Sequence, residues 1–331
     1  MGIIREDLSN QFGEALSGTK DFLAVASLDF VDLFRYNETG RQWDRVGPLL
    51  DPSVSFTDPR LLRTSLGIGA LSMDQLSTSA NTTLIRLTVT FWTSEANVIV
   101  FAFFTMDVSQ PTPVWSTTGN AMLFEDSIWG TAAGFVGDNA LVVGIAGQSV
   151  VATRAFLLQR DVWVEQTNFT LPQSVSSTSQ LLTTSFFHTT NSTVVAFAYE
   201  AGSSGIPTIT VVEVGPYLSV TQKGSPIRYL GNFTTEWELT NVVVHGEWLV
   251  GGRSRLGEFV GVVYRLEDGD WVKQGNDLRV GVVGVIDRLV MALSPFSLYE
   301  NVESPTVVAG FIFGQRRIGF ARLFRARGEL S

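Results

Sequence analysis

The chain has 331 residues, of which 45% are apolar and 17% charged, with a formal net charge of −9 and a pI near 4.8. Such an acidic chain lacks the basic surface that nucleic-acid phosphates require, and the absence of cysteine excludes thiol nucleophiles, disulfide scaffolds and thiolate metal sites. No apolar run approaches the ~18 residues that cross a bilayer, so no membrane span is expected and the apolar surplus is read as core and contact surface.

In chain order, the first unit (8–52) carries Ala15-Leu16-Ser17, apolar runs at 22–26 and 31–36, and Trp43. The second (62–122) repeats this plan with Ala70-Leu71-Ser72, 84–91, 98–104 and Trp115, and the third (126–172) with Ala132-Ala133-Gly134, 141–145, 150–157 and Trp163. The fourth (178–229) has Thr183-Thr184-Ser185, 194–199 and 209–214, with Leu218 in the place of the Trp. The fifth (233–280) has Leu239-Thr240-Asn241, 248–250, 262–264 and Trp271, and the sixth (284–331) has Ala292-Leu293-Ser294, 307–313 and 318–324 with no Trp after them. The steps from 15 to 70, 132, 183, 239 and 292 are 55, 62, 51, 56 and 53 residues. Runs of four to eight residues rich in Val, Ile, Phe, Tyr and Thr, bounded by Gly, Asp, Asn, Ser and Pro, are strands. The run 83–91 alternates with period two, whereas 98–104 is continuously apolar, as in a strand covered on both faces.

Four strands in a unit of roughly 55 residues is the pattern of one propeller blade. The expected fold is therefore an all-β, six-bladed β-propeller of four-stranded antiparallel blades in one domain over 1–331, with seven blades as the alternative. The last blade would be completed by 325–330 or by the N-terminal residues 2–7, which would limit exposed strand edges.

Spacing inside the units carries a resemblance. Gly252, Tyr264 and Trp271, with Gly251 forming a glycine pair, are matched in step by Gly144, Phe156 and Trp163, and Tyr36 and Trp43 keep the second step. This resembles the kelch repeat, which implies a Gly pair ending the second strand, an aromatic on the third and a Trp on the fourth. The segment 271–278, Trp-Val-Lys-Gln-Gly-Asn-Asp-Leu, and the opening 12–17 also resemble FG-GAP-like Trp-x-Gln-x-Gly propeller repeats. Tyr36, Trp43, Trp115, Gly144, Phe156, Trp163, Gly251, Gly252, Tyr264 and Trp271 are thus read as structural repeat markers that pack between blades.

Catalytic signatures are missing. The two histidines, His188 near a first-strand end and His245 before a second strand, have no ligand or nucleophile spacing and read as structural. No zincin, nucleophile-elbow or phosphate-loop motif occurs. The segment 267–270, Glu-Asp-Gly-Asp, reads as a hairpin turn rather than a calcium loop. No catalytic residue, cofactor or metal site is assigned, although a carboxylate pair from different blades is not visible to sequence.

The function this pattern favours is a non-catalytic propeller acting as a protein-interaction scaffold or assembling with copies of itself. Loops at 111–113, 203–207 and 298–305 would carry the contacts, and Phe296, Tyr299, Arg316 and Arg317 are the interface candidates. Lysine is confined to Lys20, Lys223 and Lys273, and the arginine in its place suits protein interfaces. Two alternatives stand beside it. One is a secreted glycan-binding module, in keeping with sequons at Asn37, Asn81, Asn168, Asn191 and Asn232. The other is a carboxylate-dependent hydrolase or lyase at the channel mouth. The N-terminus shows no signal region, which leans toward an intracellular or organelle-lumen setting.

Overall fold

The computed structural model describes residues 15–19, 21–27, 29–37, 39–40, 42–56, 67–79, 82–93, 98–124, 127–136, 140–147, 151–166, 180–189, 192–201, 206–215, 218–228, 239–255, 258–281, 286–294, 306–313 and 318–325. The fold is all-β, a propeller arrangement of small antiparallel sheets, and the chain divides into two compact units, Met1–Phe169 and Thr170–Ser331. Among the described residues no helix is long and apolar enough to cross a membrane.

In the first unit, sheet A runs β1 (Ala15–Gly18), β2 (Phe22–Ala26), β3 (Val31–Asn37) and β4 (Gln42–Arg45) in that order. Sheet B runs β5 (Gly67–Ser79), β6 (Thr82–Thr93) and β7 (Val98–Asp107), after which β8 (Trp115–Thr117) and β9 (Met122–Phe124) pair with the two ends of β7. Sheet C is β10 (Ser127–Val136), β11 (Ala140–Gly147), β12 (Val151–Gln159) and β13 (Val162–Glu165).

In the second unit, sheet D is β14 (Gln180–His188), β15 (Thr193–Ala201), β16 (Ile206–Val214) and β17 (Val220–Gln222), with β18 (Ile227–Arg228) also on β16. Sheet E is β19 (Leu239–His245), β20 (Trp248–Arg255), β21 (Glu258–Glu267) and β22 (Asp270–Gly281). Sheet F has β23 (Ile286–Ser294), β24 (Thr306–Phe313) and β25 (Ile318–Arg325).

The expectation of six or seven like blades of four strands is corrected here. Sheets A, C and E hold a plain four-strand meander, the outer position of B and D is shared between two short strands, and F has three strands among the described residues. In sheet B the cause is the turn at 108–114, which lets Trp115 pair with Met106 before the chain returns to pair Met122 with Phe101. In sheet D the expected fourth-strand residue Leu218 has φ +61, a left-handed conformation that no strand accommodates, and pairing begins at Val220. The segment 203–207 is not wholly a loop, because Ile206 and Pro207 open β16 opposite Ala201 and Glu200. The chain ends invoked for closure lie outside the described residues.

Period-two alternation explains the cores. On β7, Ile99, Phe101 and Phe103 enter a cluster with Ala133, Phe135, Phe156 and Trp163 of sheet C, while Val100, Ala102, Phe104 and Met106 enter another with Ala24, Leu33, Ile85 and Leu87. The uninterrupted apolar run is therefore a strand packed on both faces. In the second unit, Val194, Ala196, Ile209 and Val211 of sheet D meet Val242, Leu249, Val262 and Trp271 of sheet E.

The face of sheet B toward sheet C also buries charge. Asp74 on β5 and Arg86 on β6 are cross-strand partners, 3% and 4% exposed, joined through Arg86 Nε to Asp74 Oδ2 at 3.0 Å and by a second contact from Nη2. The guanidinium lies 4.5 Å from the centroid of Phe135, so the ion pair is capped by an aromatic face of the neighbouring sheet.

Two of the Trp markers join sheets by a repeated device. Trp163 Nε1 of sheet C donates to Thr118 O of sheet B at 3.3 Å, and a Cβ on Gly119 (φ +71) would stand 2.7 Å from that indole nitrogen. Trp271 Nε1 of sheet E donates to Lys223 O of sheet D at 2.7 Å, and a Cβ on Gly224 (φ +68) would stand 2.7 Å from the ring. Glycine is needed at these two positions for both its conformation and its lack of a side chain. The Nε1–Cδ1 edge of the indole meets the bare backbone at the end of the neighbouring sheet, and its one polar atom donates to the adjacent carbonyl.

Candidate functional site

Among the markers, Tyr36, Phe156 and Tyr264 lie on third strands and Trp43, Trp163 and Trp271 on fourth strands, while Trp115 opens β8. Gly144, Gly251 and Gly252 fall inside second strands rather than at their ends, opposite Ala132, Val242 and Asn241. The glycine-pair expectation drawn from the kelch resemblance is thereby corrected: Gly252 also faces Gly261, so the strands continue past the pair. Phe296, Tyr299, Arg316 and Arg317 lie outside the described residues, as do Asn81, Asn168, Asn191 and Asn232.

Both histidines are structural in their surroundings. His188 stacks on Phe186 and shares a 3.1 Å hydrogen bond between Nδ1 and Thr193 Oγ1. His245 ends β19 with its ring centroid 4.2 Å from Phe187, and burial lowers its pKa from the usual histidine value. The turn at 267–270 is a two-residue hairpin with positive φ at Asp268 and Gly269, which matches the twist of the strands it joins.

A polar cleft of about 510 Å³ opens on sheet A, lined by Asp21, Arg35, Tyr36, Asn37, Asp44 and Val46. It forms because β3 leaves the core partway along: Val31 to Phe34 are buried, Arg35 is exposed, and Tyr36 and Asn37 are half-buried. The Tyr36 amide donates to Asp21 O at 2.9 Å, which brings Asp21 alongside β3 just before β2 begins. On the other side of β3, Arg35 pairs with Asp44 and Tyr36 with Trp43. Asp21 and Asp44 therefore flank one strand.

The Asp44 carboxylate is fixed by two amides. Asn37 Nδ2 donates to Oδ2 at 2.9 Å and Gln42 Nε2 to Oδ1 at 2.8 Å, while Asn37 Oδ1 accepts from Gly40 N at 3.0 Å and closes the hairpin. Tyr36 contacts Trp43 at 5.2 Å between centroids, one position along the ladder from the Arg35–Asp44 pair. Arg35 lies with its guanidinium carbon 5.7 Å from the ring centroid of the buried Phe22. Arg45, two residues on from Trp43, is committed elsewhere, to buried Asp32 at 2.8 Å.

The carboxylates with displaced titration lie away from this cleft, and all move downward. Asp107 is lowered by Gln110 and Ser109, Glu213 by Lys223 and Ser192, Asp270 by the backbone amides of Ser225 and Trp271, and Asp277 chiefly by Lys273. Among the described residues no group of three or more His, Asp or Glu is placed to hold a metal ion.

Sequence reasoning missed Asp21, Arg35 and Asp44 and took Asn37 only as a sequon. The available signal was the loss of apolar alternation at Arg35, together with the polar residues flanking the two aromatic markers. The carboxylates lie 23 positions apart (21 to 44), and only the β2–β3–β4 meander brings them together.

No protein-family model and no curated protein matches the chain. Among solved structures it is similar to the GH93 α-L-arabinofuranosidase of Fusarium graminearum in complex with arabinobiose, at 10% identity and a TM-score of 0.52, covering 95% of this chain and 93% of that one. It is also similar to the WD40 domain of SCAP from fission yeast, at 8% identity and a TM-score of 0.39 over 94% and 75% of the two chains. A third similarity is to the Bombyx mori GH32 β-fructofuranosidase BmSUC1, at 9% identity and a TM-score of 0.43, covering 73% of this chain and 56% of that one. At such identities the likeness describes the fold. It nevertheless corrects the scaffold reading, which rested on missing catalytic motifs in a repeat fold: an arabinofuranosidase has this fold over nearly the full length of both chains.

Proposed function

We propose that the protein is a hydrolase of glycosidic bonds, with the sheet A cleft as its substrate site and Asp21 and Asp44 as its carboxylate pair. The observation that carries this reading is the cleft itself, which Asp21 and Asp44 line from either side of β3. The arabinofuranosidase among the proteins of similar fold lends it support.

Asp44, with both oxygens accepting amide N–H groups, suits the base that orients the water. Asp21 is the proton donor to the leaving oxygen. The kinship of the repeats with kelch-like or Trp-x-Gln-x-Gly blades belongs to the same proposal and is supported by the Trp and Gly pairs that join neighbouring sheets.

The test is a panel of arabinan, fructan and pectic oligosaccharides, with product anomers followed by proton NMR. Wild type is expected to release sugar from at least one member of the panel, and Asp44→Asn and Asp21→Asn each to lose at least ~100-fold in kcat. A wild type without turnover on the panel, or variants as active as wild type, refutes the assignment.

A further inference from the structure

Gly47, Gly119 and Gly224, all with positive φ, follow the outer strands of sheets A, B and D at equivalent points. The residue before each donates its amide to the third strand of its sheet: Val46 N to Leu33 O at 2.8 Å, Thr118 N to Phe103 O at 2.9 Å and Lys223 N to Val211 O at 2.9 Å. The carbonyls of Val46, Thr118 and Lys223 are therefore equivalent. Thr118 O and Lys223 O each accept the indole N–H of the next sheet. The indole equivalent to these for Val46 O is Trp115. It faces Met106 across its ladder as Trp163 faces Leu158 and Trp271 faces Leu266, and it packs on the apolar cluster shared by sheets A and B. Its Nε1 is nevertheless buried with no hydrogen-bond partner among the described residues, a cost that an acceptor would remove.

What holds donor and acceptor apart is seen at Gly47. A Cβ there would meet Met106 Cε at 2.9 Å and Pro113 O at 3.1 Å, so a thioether and the loop 108–114 hold the place that an indole takes on Gly119 and Gly224. Sheets C and E enter their fourth strands through two-residue turns, Arg160-Asp161 and Asp268-Gly269, all at positive φ. In sheet B the longer loop lays Pro113 against Gly47 instead. A leucine shares the space with an indole, since Leu158 Cδ1 lies beside Trp163 at the Gly119 position; the longer methionine fills it alone.

We infer that the joint between sheets A and B is a latch with two positions. One is the position described, and in the other Met106 withdraws, the Trp115 indole moves onto Gly47 and its N–H donates to Val46 O. Each position gives something up. The first leaves a buried donor unmade, and the second displaces a side chain that is 1% exposed but has the rotatable bonds to move. Val46 also lines the sheet A cleft, so the latch acts on the wall of that cleft whatever the cleft binds.

The test is NMR of the full chain with 15N-labelled indoles and 13C-labelled valine methyls, the Trp115 signal being the one lost in Trp115→Phe. Wild type is expected to show microsecond-to-millisecond exchange at Trp115 Nε1–H and, at the same rate, at the Val46 methyls. Trp163 and Trp271, whose hydrogen bonds are made, should show none. Met106→Leu installs the residue of the other two joints at little change in volume. It should quench the exchange and slow solvent exchange of the Trp115 N–H by at least ~10-fold. No exchange at Trp115, equal exchange at Trp163 and Trp271, or Val46 methyls at a different rate overturns the inference. So does a Met106→Leu variant whose Trp115 N–H exchanges as in wild type. Failure of the hydrolase reading would leave all these signals unchanged.

Discussion

Trp271→Phe tests the device that joins sheets D and E. The substitution keeps an aromatic ring but deletes the N–H that donates to Lys223 O at 2.7 Å, and it shrinks a side chain that is 9% exposed within the cluster of Val211, Ile227 and Leu249. The lost hydrogen bond is worth ~0.5–1.5 kcal/mol net. The smaller ring removes apolar contact at ~0.8 kcal/mol per carbon-sized group, so the sum is ~2–3 kcal/mol. Gly224→Ala acts on the same joint from the other side. A left-handed alanine costs ~1–2 kcal/mol, and its Cβ would meet Trp271 Cδ1 at 2.7 Å, so the indole must move. The two substitutions should therefore be non-additive, with the double variant less destabilised than the sum by ~0.5 kcal/mol or more. Urea unfolding followed by far-UV circular dichroism, which does not rely on the tryptophan removed, measures all four corners of the cycle. A Trp271→Phe variant within ~0.5 kcal/mol of wild type, together with an additive double variant, refutes the latch.

Trp163→Phe probes the equivalent joint between sheets B and C, where the hydrogen bond is longer at 3.3 Å, and its cost in the same urea assay should be smaller than that of Trp271→Phe. Arg86→Met leaves Asp74 buried without its cation and should cost ~3–5 kcal/mol, whereas the double variant Arg86→Met with Asp74→Leu recovers most of that loss. His245 gives a pH prediction whose sign follows from burial. Its folded pKa lies below the ordinary value of about 6.5, so the unfolded chain takes up the proton first as pH falls, and stability present above that value is lost below it. Thermal unfolding across pH 5–8 should show this slope in wild type and a flatter profile in His245→Phe; identical slopes would remove the assignment.

Where period and burial agree, sequence was enough. Ile99 to Phe104 could be read as a doubly covered strand because both faces of β7 do meet apolar neighbours, and Trp163 and Trp271 do pack between sheets, each with its indole N–H on a carbonyl of the neighbouring sheet. What sequence did not convey were effects of backbone conformation and long-range geometry. Leu218 resembles a strand residue in composition, but its positive φ places it in a turn. Gly251 and Gly252 suggest a strand end, yet Gly252 lies opposite Gly261 in a continuous ladder. The Asp74–Arg86 pair carries no signal of burial in the sequence, since it is the packing of sheet C against it, with Phe135 over the guanidinium, that makes the site dry. The cleft was illegible for the same reason: Asp21, Arg35 and Asp44 form no motif, and strand pairing alone gathers them.

The cleft also lies where the repeat is put to a different use. In sheets C and E the fourth-strand Trp is spent on the neighbouring sheet, with its ring on Gly119 or Gly224. In sheet A the Trp at the same step, Trp43, lies against Tyr36 of its own sheet, and the glycine four residues on, Gly47, has Met106 of sheet B near it rather than an indole. The joint between sheets A and B thus receives a methionine where the joints between B and C and between D and E receive an indole. A flexible thioether can fill the space over a bare glycine that a rigid indole fills elsewhere, so the glycine end of the device is kept while its filling residue changes.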